Sequence, residues 1–267
     1  MRKALTYICF IDMIFILFLA FSGTLGELFY YLAFLVPFLL AFFLRKNVET
    51  DFPKLKISKK DLALTLPTVA PTLLFVFLLS FLTSLALSFF GEGSTPDVSG
   101  NLALTILRYA VLTALLEEVL FRYIPLAFIT PHTKQGAVLI SSALFALSHC
   151  NLYQIPYAFF AGIIFAILDI AFDSVWPSVI IHFLNNLISV LWLRFGENRE
   201  FALVYIGILI GLALVSLVFL IIFRKDYKEK IYPILSDKSK YKLSYEPIIF
   251  AVMTLIIAIT NLFGGAS

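Results

Sequence analysis

Residues 102–130 read LALTILRYAVLTALLEEVLFRYIPLAFIT, an apolar run of helical length that carries Arg108, Glu117, Glu118 and Arg122. Crossing the hydrocarbon of a bilayer takes about 20 mostly apolar residues, so the run reads as a membrane span. The charges inside it need a reason. An ionisable side chain at the centre of a spanning helix costs at least about 2.5–3.5 kcal/mol on insertion scales. Helical geometry supplies part of that reason. Glu118 and Arg122 are i,i+4 neighbours on one face and can neutralise each other, whereas Glu117 is rotated by about 140° from Arg122. The spacing predicts one structural glutamate, Glu118, and one freer glutamate, Glu117. The plain alternative is that both glutamates pair with cations and only pin helices together.

The rest of the chain has the same character. Of 267 residues, 61% are hydrophobic and 14% charged, with a mean hydropathy of +0.98. Soluble domains are about 45–50% apolar and about 25% charged. This balance excludes a disordered chain, a nucleic-acid binder and an ordinary cytosolic enzyme. It predicts an all-α, polytopic transmembrane bundle, with residues 1–267 forming a single integral membrane domain. Apolar segments lie near 4–22, 28–44, 62–90, 102–130, 137–150, 157–172, 175–193, 201–223 and 247–263, giving about eight or nine spans. Helices satisfy their own backbone in lipid, and the alternation of a membrane barrel is absent. Cys9 and Cys150 form no CxxC pair, which argues against a disulfide framework and a thiolate metal cage.

Cation placement orients the bundle. Arg2 and Lys3, six Lys/Arg between 45 and 60, Lys134, and seven between 224 and 242 fall on one side if nine spans alternate. The other side receives Arg194 and Arg199. The positive-inside rule then places the N-terminus in the cytoplasm, with the protein in the cell membrane. The first run resembles a signal peptide, but it is long for one and contains Asp12, so it reads as a span. The lysine-rich segment 224–246 reads as a topology signal more than as a lipid-headgroup patch.

Few other ionisable residues fall at membrane depth. Phe145 and His149 share a helical face in Phe145-Ala146-Leu147-Ser148-His149, and His182 and Asn186 share another, with Asn185 on its flank. Each pair alone is ordinary packing glue between helices. Together with Glu117 they place a carboxylate, two imidazoles and an amide on three spans, at depths that permit one shared site. Asp169, near a cytoplasmic span end, is expected to reach water. His132, in the loop 131–136, is expected to be solvated, and Asp12 and Arg108 to be helix-contact residues.

Glu117-Glu118…Arg122, Phe145…His149 and His182…Asn186, in this order, resemble the CAAX protease and bacteriocin-processing (CPBP, or Abi) family of intramembrane proteases, which includes the Ras-converting prenyl-protein endopeptidases. The run from Gly162 through Asp173-Ser174-Val175-Trp176-Pro177-Ser178 resembles the lead-in to the family's third motif. The resemblance covers about 102–195 and implies a four-helix catalytic core there. It implies that Glu117 is the general base and that His149 helps hold the attacking water. His182 and Asn186 would stabilise the oxyanion, and Glu118, Arg122 and Phe145 would support the site. The implied substrate is a membrane-associated peptide or lipidated protein, with the prenylated CaaX type among the classes that fit, approached from the cytoplasm. No cofactor is expected and no nucleic-acid partner. Glu117, His149 and His182 would be the ligands if the enzyme used zinc, although HExxH is absent. Two other functions fit the sequence: an inactive scaffold or immunity protein of the same family, and a proton or ion transporter. The transporter reading predicts paired, broken helices, and no such repeat is visible.

Overall fold

The computed structural model describes residues 1–90, 96–239 and 245–264. Lys240 and Lys242, counted above among the cations, lie outside these. Among the described residues the chain is helical. The helices are α1 (Arg2–Leu25), α2 (Glu27–Leu44), α3 (Lys59–Leu87), α4 (102–129), α5 (Lys134–Ser148), α6 (Ile155–Phe172), α7 (Trp176–Phe195), α8 (Arg199–Ile222), α9 (Arg224–Leu235) and α10 (Tyr245–Gly264). Side chains start several of them. Ser58 accepts the Asp61 N–H at the head of α3, Asn101 that of Leu104 in α4, and Asn198 that of Phe201 in α8. Each satisfies an otherwise orphaned first-turn donor.

Among the described residues, seven helices are long and apolar enough to cross a membrane. Two of the nine expected spans differ from that pattern. α4 is one helical run with two π-helical stretches, Ile106–Leu112 and Val119–Tyr123. Thr113 Oγ1 reaches back five residues to the Arg108 carbonyl in the first of these. α5 has only 15 residues, about 22 Å of helix against roughly 30 Å of hydrocarbon. It is mostly buried among other helices, so it need not span on its own.

α4, α5, α6 and α7 pack together, and α1 and α2 pair on one flank with α10 against α1. α3 and α8 pair on the other flank. The inner core runs through Leu120, Phe121, Ile124, Phe128, Phe145 and Ala166. The outer faces remain apolar: Leu203, Ile208, Leu212, Val215 and Ile222 of α8 are exposed. With no water in the hydrocarbon, such faces suit lipid.

The two ends of the bundle differ. At one end Lys54 pairs with Asp173 at 2.7 Å, Trp176 Nε1 donates to the Leu55 carbonyl at 2.9 Å, and Asp51 N–H donates to the Ala127 carbonyl at 2.8 Å. The 45–58 connection is thereby strapped across the α4 and α6–α7 ends. Lys60–Asp226 and Lys230–Asp61 pairs tie α9 to the head of α3 at this same end. At the other end Arg194 donates to the Val98 and Gly100 carbonyls, and Asn261 to the Cys150 carbonyl. The cation-rich connections therefore gather at one end, as alternating spans require.

Candidate active site

Glu117 and Glu118 close the α-helical turn Thr113–Glu118, and the π-helical turn Val119–Tyr123 follows at once. Such widened turns recur at functional sites because they re-aim side chains along an otherwise regular helix. The two glutamates sit differently. The Glu117 side chain is 17% exposed, while those of Glu118 and Arg122 are sealed at 0%. Arg122 Nε lies 3.7 Å from Glu118 Oε2.

His182 of α7 stands between the glutamates. Its Nδ1 is 2.6 Å from Glu118 Oε1 and its Nε2 is 3.7 Å from Glu117 Oε2. A carboxylate accepts, so Nδ1 donates and the ring is held with Nε2 toward Glu117. Intrahelical spacing paired Glu118 with Arg122 alone; a residue 64 positions away cannot be read from helical angles. Glu118 in fact bridges Arg122 and His182.

His149 ends α5, with Nδ1 2.8 Å from the Phe145 carbonyl. The carbonyl only accepts, so Nδ1 carries the hydrogen and Nε2 offers a lone pair. Phe145 wedges between the charged groups. Its ring lies 4.4 Å under the Arg122 guanidinium and meets the His149 and His182 rings edge-on at 5.0 and 5.5 Å. Cation–π attraction suits a guanidinium kept from water. Arg122 Nη1 also donates to the Phe121 carbonyl at 2.9 Å and the Ser141 carbonyl at 3.4 Å. Gly162 of α6 leaves room for this arginine. A Cβ there would stand 3.0 Å from Nη2 and 3.1 Å from Ser142 Cα.

Two expectations are corrected. Asp169 does not reach water: it is 0% exposed, and its Oδ1 accepts the Ser178 N–H at 3.0 Å. Asp173 adopts a left-handed conformation, φ 48°, that turns the chain from α6 straight into α7. The last turn of α6 thereby faces the orphan donors at the head of α7. His132 is half-buried, and burial lowers its imidazole below the usual histidine range. Asp12 is fully buried in α1, where a helix contact was expected.

Glu117, Phe145, His149, His182, Asn185 and Asn186 line one cavity of about 740 Å³. Tyr109, Thr113, Asn151, Tyr153, Tyr157 and several serines share its walls. Asn185 Nδ2 donates to Asn186 Oδ1 at 3.4 Å. Tyr157 and Asn151 were not singled out from sequence, because an apolar helix start and a polar turn carry no spacing signal. Among the described residues, no three or more His, Cys, Asp or Glu side chains are grouped to hold a metal ion. The donor set Glu117, His149 and His182 shares the cavity without closing into such a group.

A polytopic helical membrane protein with one carboxylate and two imidazoles facing a single cavity between its helices is the class that these features define. Residues 99–188 match the family model described as Type II CAAX prenyl endopeptidase Rce1-like. This segment, about a third of the chain, carries all the motif residues above and is what the chain shares with the CPBP/CAAX protease family. No curated protein and no solved structure matches the chain.

Proposed function

We propose that the protein is an intramembrane endopeptidase that hydrolyses a peptide bond of a membrane-associated substrate. The observation that carries this reading is the asymmetry of the glutamate pair. Glu117 opens onto the cavity that also holds both imidazoles, while its neighbour is buried on Arg122 and His182. One carboxylate is tied up in structure and the other is available for chemistry.

A water between Glu117 and His149 gives its proton to Glu117 as its oxygen attacks the scissile carbonyl carbon. Negative charge then develops on the carbonyl oxygen. The Asn186 amide and, when protonated, His182 Nε2 are donors able to meet it; losing one such donor typically costs about 3 kcal/mol of transition-state stabilisation. Collapse of the tetrahedral intermediate breaks the C–N bond, and Glu117 returns its proton to the leaving amine. The mechanism uses the carboxylate in place of a metal. The family description offers prenylated CaaX-type peptides as the substrate class, and the mixed aromatic and hydroxyl lining suits a peptide held near lipid.

Cleavage of a prenylated peptide and its unprenylated twin by purified protein tests the reading, with Glu117→Ala and His149→Ala as controls. Turnover should fall at least about 100-fold in both variants with unchanged thermal unfolding. Equal activity in the variants would overturn the site. Full turnover in a strong chelator, with no metal in the purified protein, is expected of the carboxylate mechanism; loss of turnover on chelation, restored by zinc, would refute it.

A further inference from the structure

We infer that the active-site cavity opens on the membrane face opposite the cation-rich one, so that its substrate is a peptide segment displayed outside the cytoplasm. The inference about substrate rests on the proposed peptidase reading; the direction of opening rests on the geometry and the placement of the cations. The cavity floor is formed by Phe145, Phe165 and His182. Behind it lie the sealed Glu118–Arg122 pair and the Asp169–Ser178 contact. Beyond those, the 45–58 strap crosses the cation-rich end through Lys54–Asp173, Trp176 to Leu55 and Asp51 to Ala127. None of the cavity lining comes from that end.

The rim is formed at the opposite end. Ser84 comes from the last turn of α3 and Ser88 from its C-cap, Asn151 and Tyr153 from the α5–α6 connection, and Leu193 from the last turn of α7, with Pro96 nearby. Ser88 and Pro96 are exposed, and Tyr153 Oη donates to the Leu87 carbonyl at 3.1 Å, joining two sides of the rim. Among the described residues, Arg194 and Arg199 are the cations in the connections of this end, against fourteen at the other. A bias of that size fixes the cation-rich end in the cytoplasm. Floor, strap and rim then point the cavity outward. A cytoplasmic prenylated protein, which the family resemblance implies, would meet the closed side. The membrane-proximal end of a translocated or membrane-spanning polypeptide would meet the open one.

The test is thiol labelling of the full-length protein in intact spheroplasts with a membrane-impermeant maleimide. The parent chain is the blank, since Cys9 and Cys150 are both buried. Ser88→Cys, at the rim, should label in intact spheroplasts, and Ser236→Cys, exposed at the other end, only after permeabilisation. The reverse pattern would overturn the inference. Two reporters, each with one span and a peptide on either the outer or the cytoplasmic face, then test the substrate. Cleavage of the outer one alone supports the inference, and cleavage of the cytoplasmic one alone refutes it. Labelling needs no turnover, so an inactive protein would sink the peptidase reading and leave the direction of opening measured.

Discussion

Glu118 Oε1 and His182 Nδ1 lie 2.6 Å apart, joining helices α4 and α7 across 64 residues of chain. The same carboxylate faces Arg122 with its other oxygen. Glu118 is thereby a positioning residue for the imidazole as well as a partner for the arginine, and its two tasks separate by substitution. Glu118→Gln keeps the size and the acceptor oxygen but weakens the charge-assisted bond that orients the ring. Turnover should fall on the order of 10²-fold or more, as when an orienting carboxylate beside a catalytic histidine is neutralised, and the pH–rate profile should shift. An unchanged profile would show that Glu118 serves structure alone.

Glu118→Ala should act chiefly on stability. It leaves Arg122, which is fully buried, without its carboxylate. Removing one partner of a buried ion pair costs roughly 3–5 kcal/mol. Thermal unfolding in detergent should show a lowered Tm, and Arg122→Met in the same background should restore part of it.

Gly162→Ala tests the close packing around Arg122. The added methyl would meet Nη2 at 3.0 Å and the Ser142 backbone at 3.1 Å. The Ser142 Cα is backbone and cannot swing away, so the strain falls on the helix contact between α5 and α6. Overpacking of this kind costs about 1–3 kcal/mol. A Tm equal to that of the parent protein would contradict the close approach.

Asp169→Ala removes the acceptor for the Ser178 N–H at the head of α7. Loss of a cap costs about 0.5–2 kcal/mol. Because the capped turn leads to His182, activity should fall with stability, and Asp169→Asn, which keeps an acceptor oxygen, should recover most of both. Activity without any change in the Ala variant would argue that α7 is held by its apolar face alone.

Asp237 gives the pH dependence. Its carboxylate accepts the Ser239 hydroxyl, the Ser239 and Lys134 N–H groups and the Thr133 hydroxyl, and these bonds hold it well below the usual aspartate range. A depressed folded-state value means that the contribution is present above the ordinary pKa of about 3.9 and is lost as pH falls below it. The Tm difference between the parent and Asp237→Asn should be constant from pH 8 to 5 and shrink below pH 4. A difference that grows on acidification would reverse the sign.

The sequence alone determined the class of fold, because hydropathy and cation placement are properties summed over long stretches. Apolar runs in lipid have one backbone solution, and the loops that carry lysine sort to one end. The motif residues were equally legible, since so few charges lie at membrane depth that Glu117, Glu118 and Arg122 stand out against the background. Helical angles also separated the two glutamates, because that relation is local. The tertiary structure alone decided the rest. That His182 bonds Glu118, that Asp169 caps α7 in place of facing water, and that Gly162 makes space for Arg122 depend on which helices meet. Those contacts join residues up to 64 positions apart, where no period in the sequence links one side chain to another. The direction in which the cavity opens belongs with them, since it follows from which helix ends the packing closes and which it leaves apart.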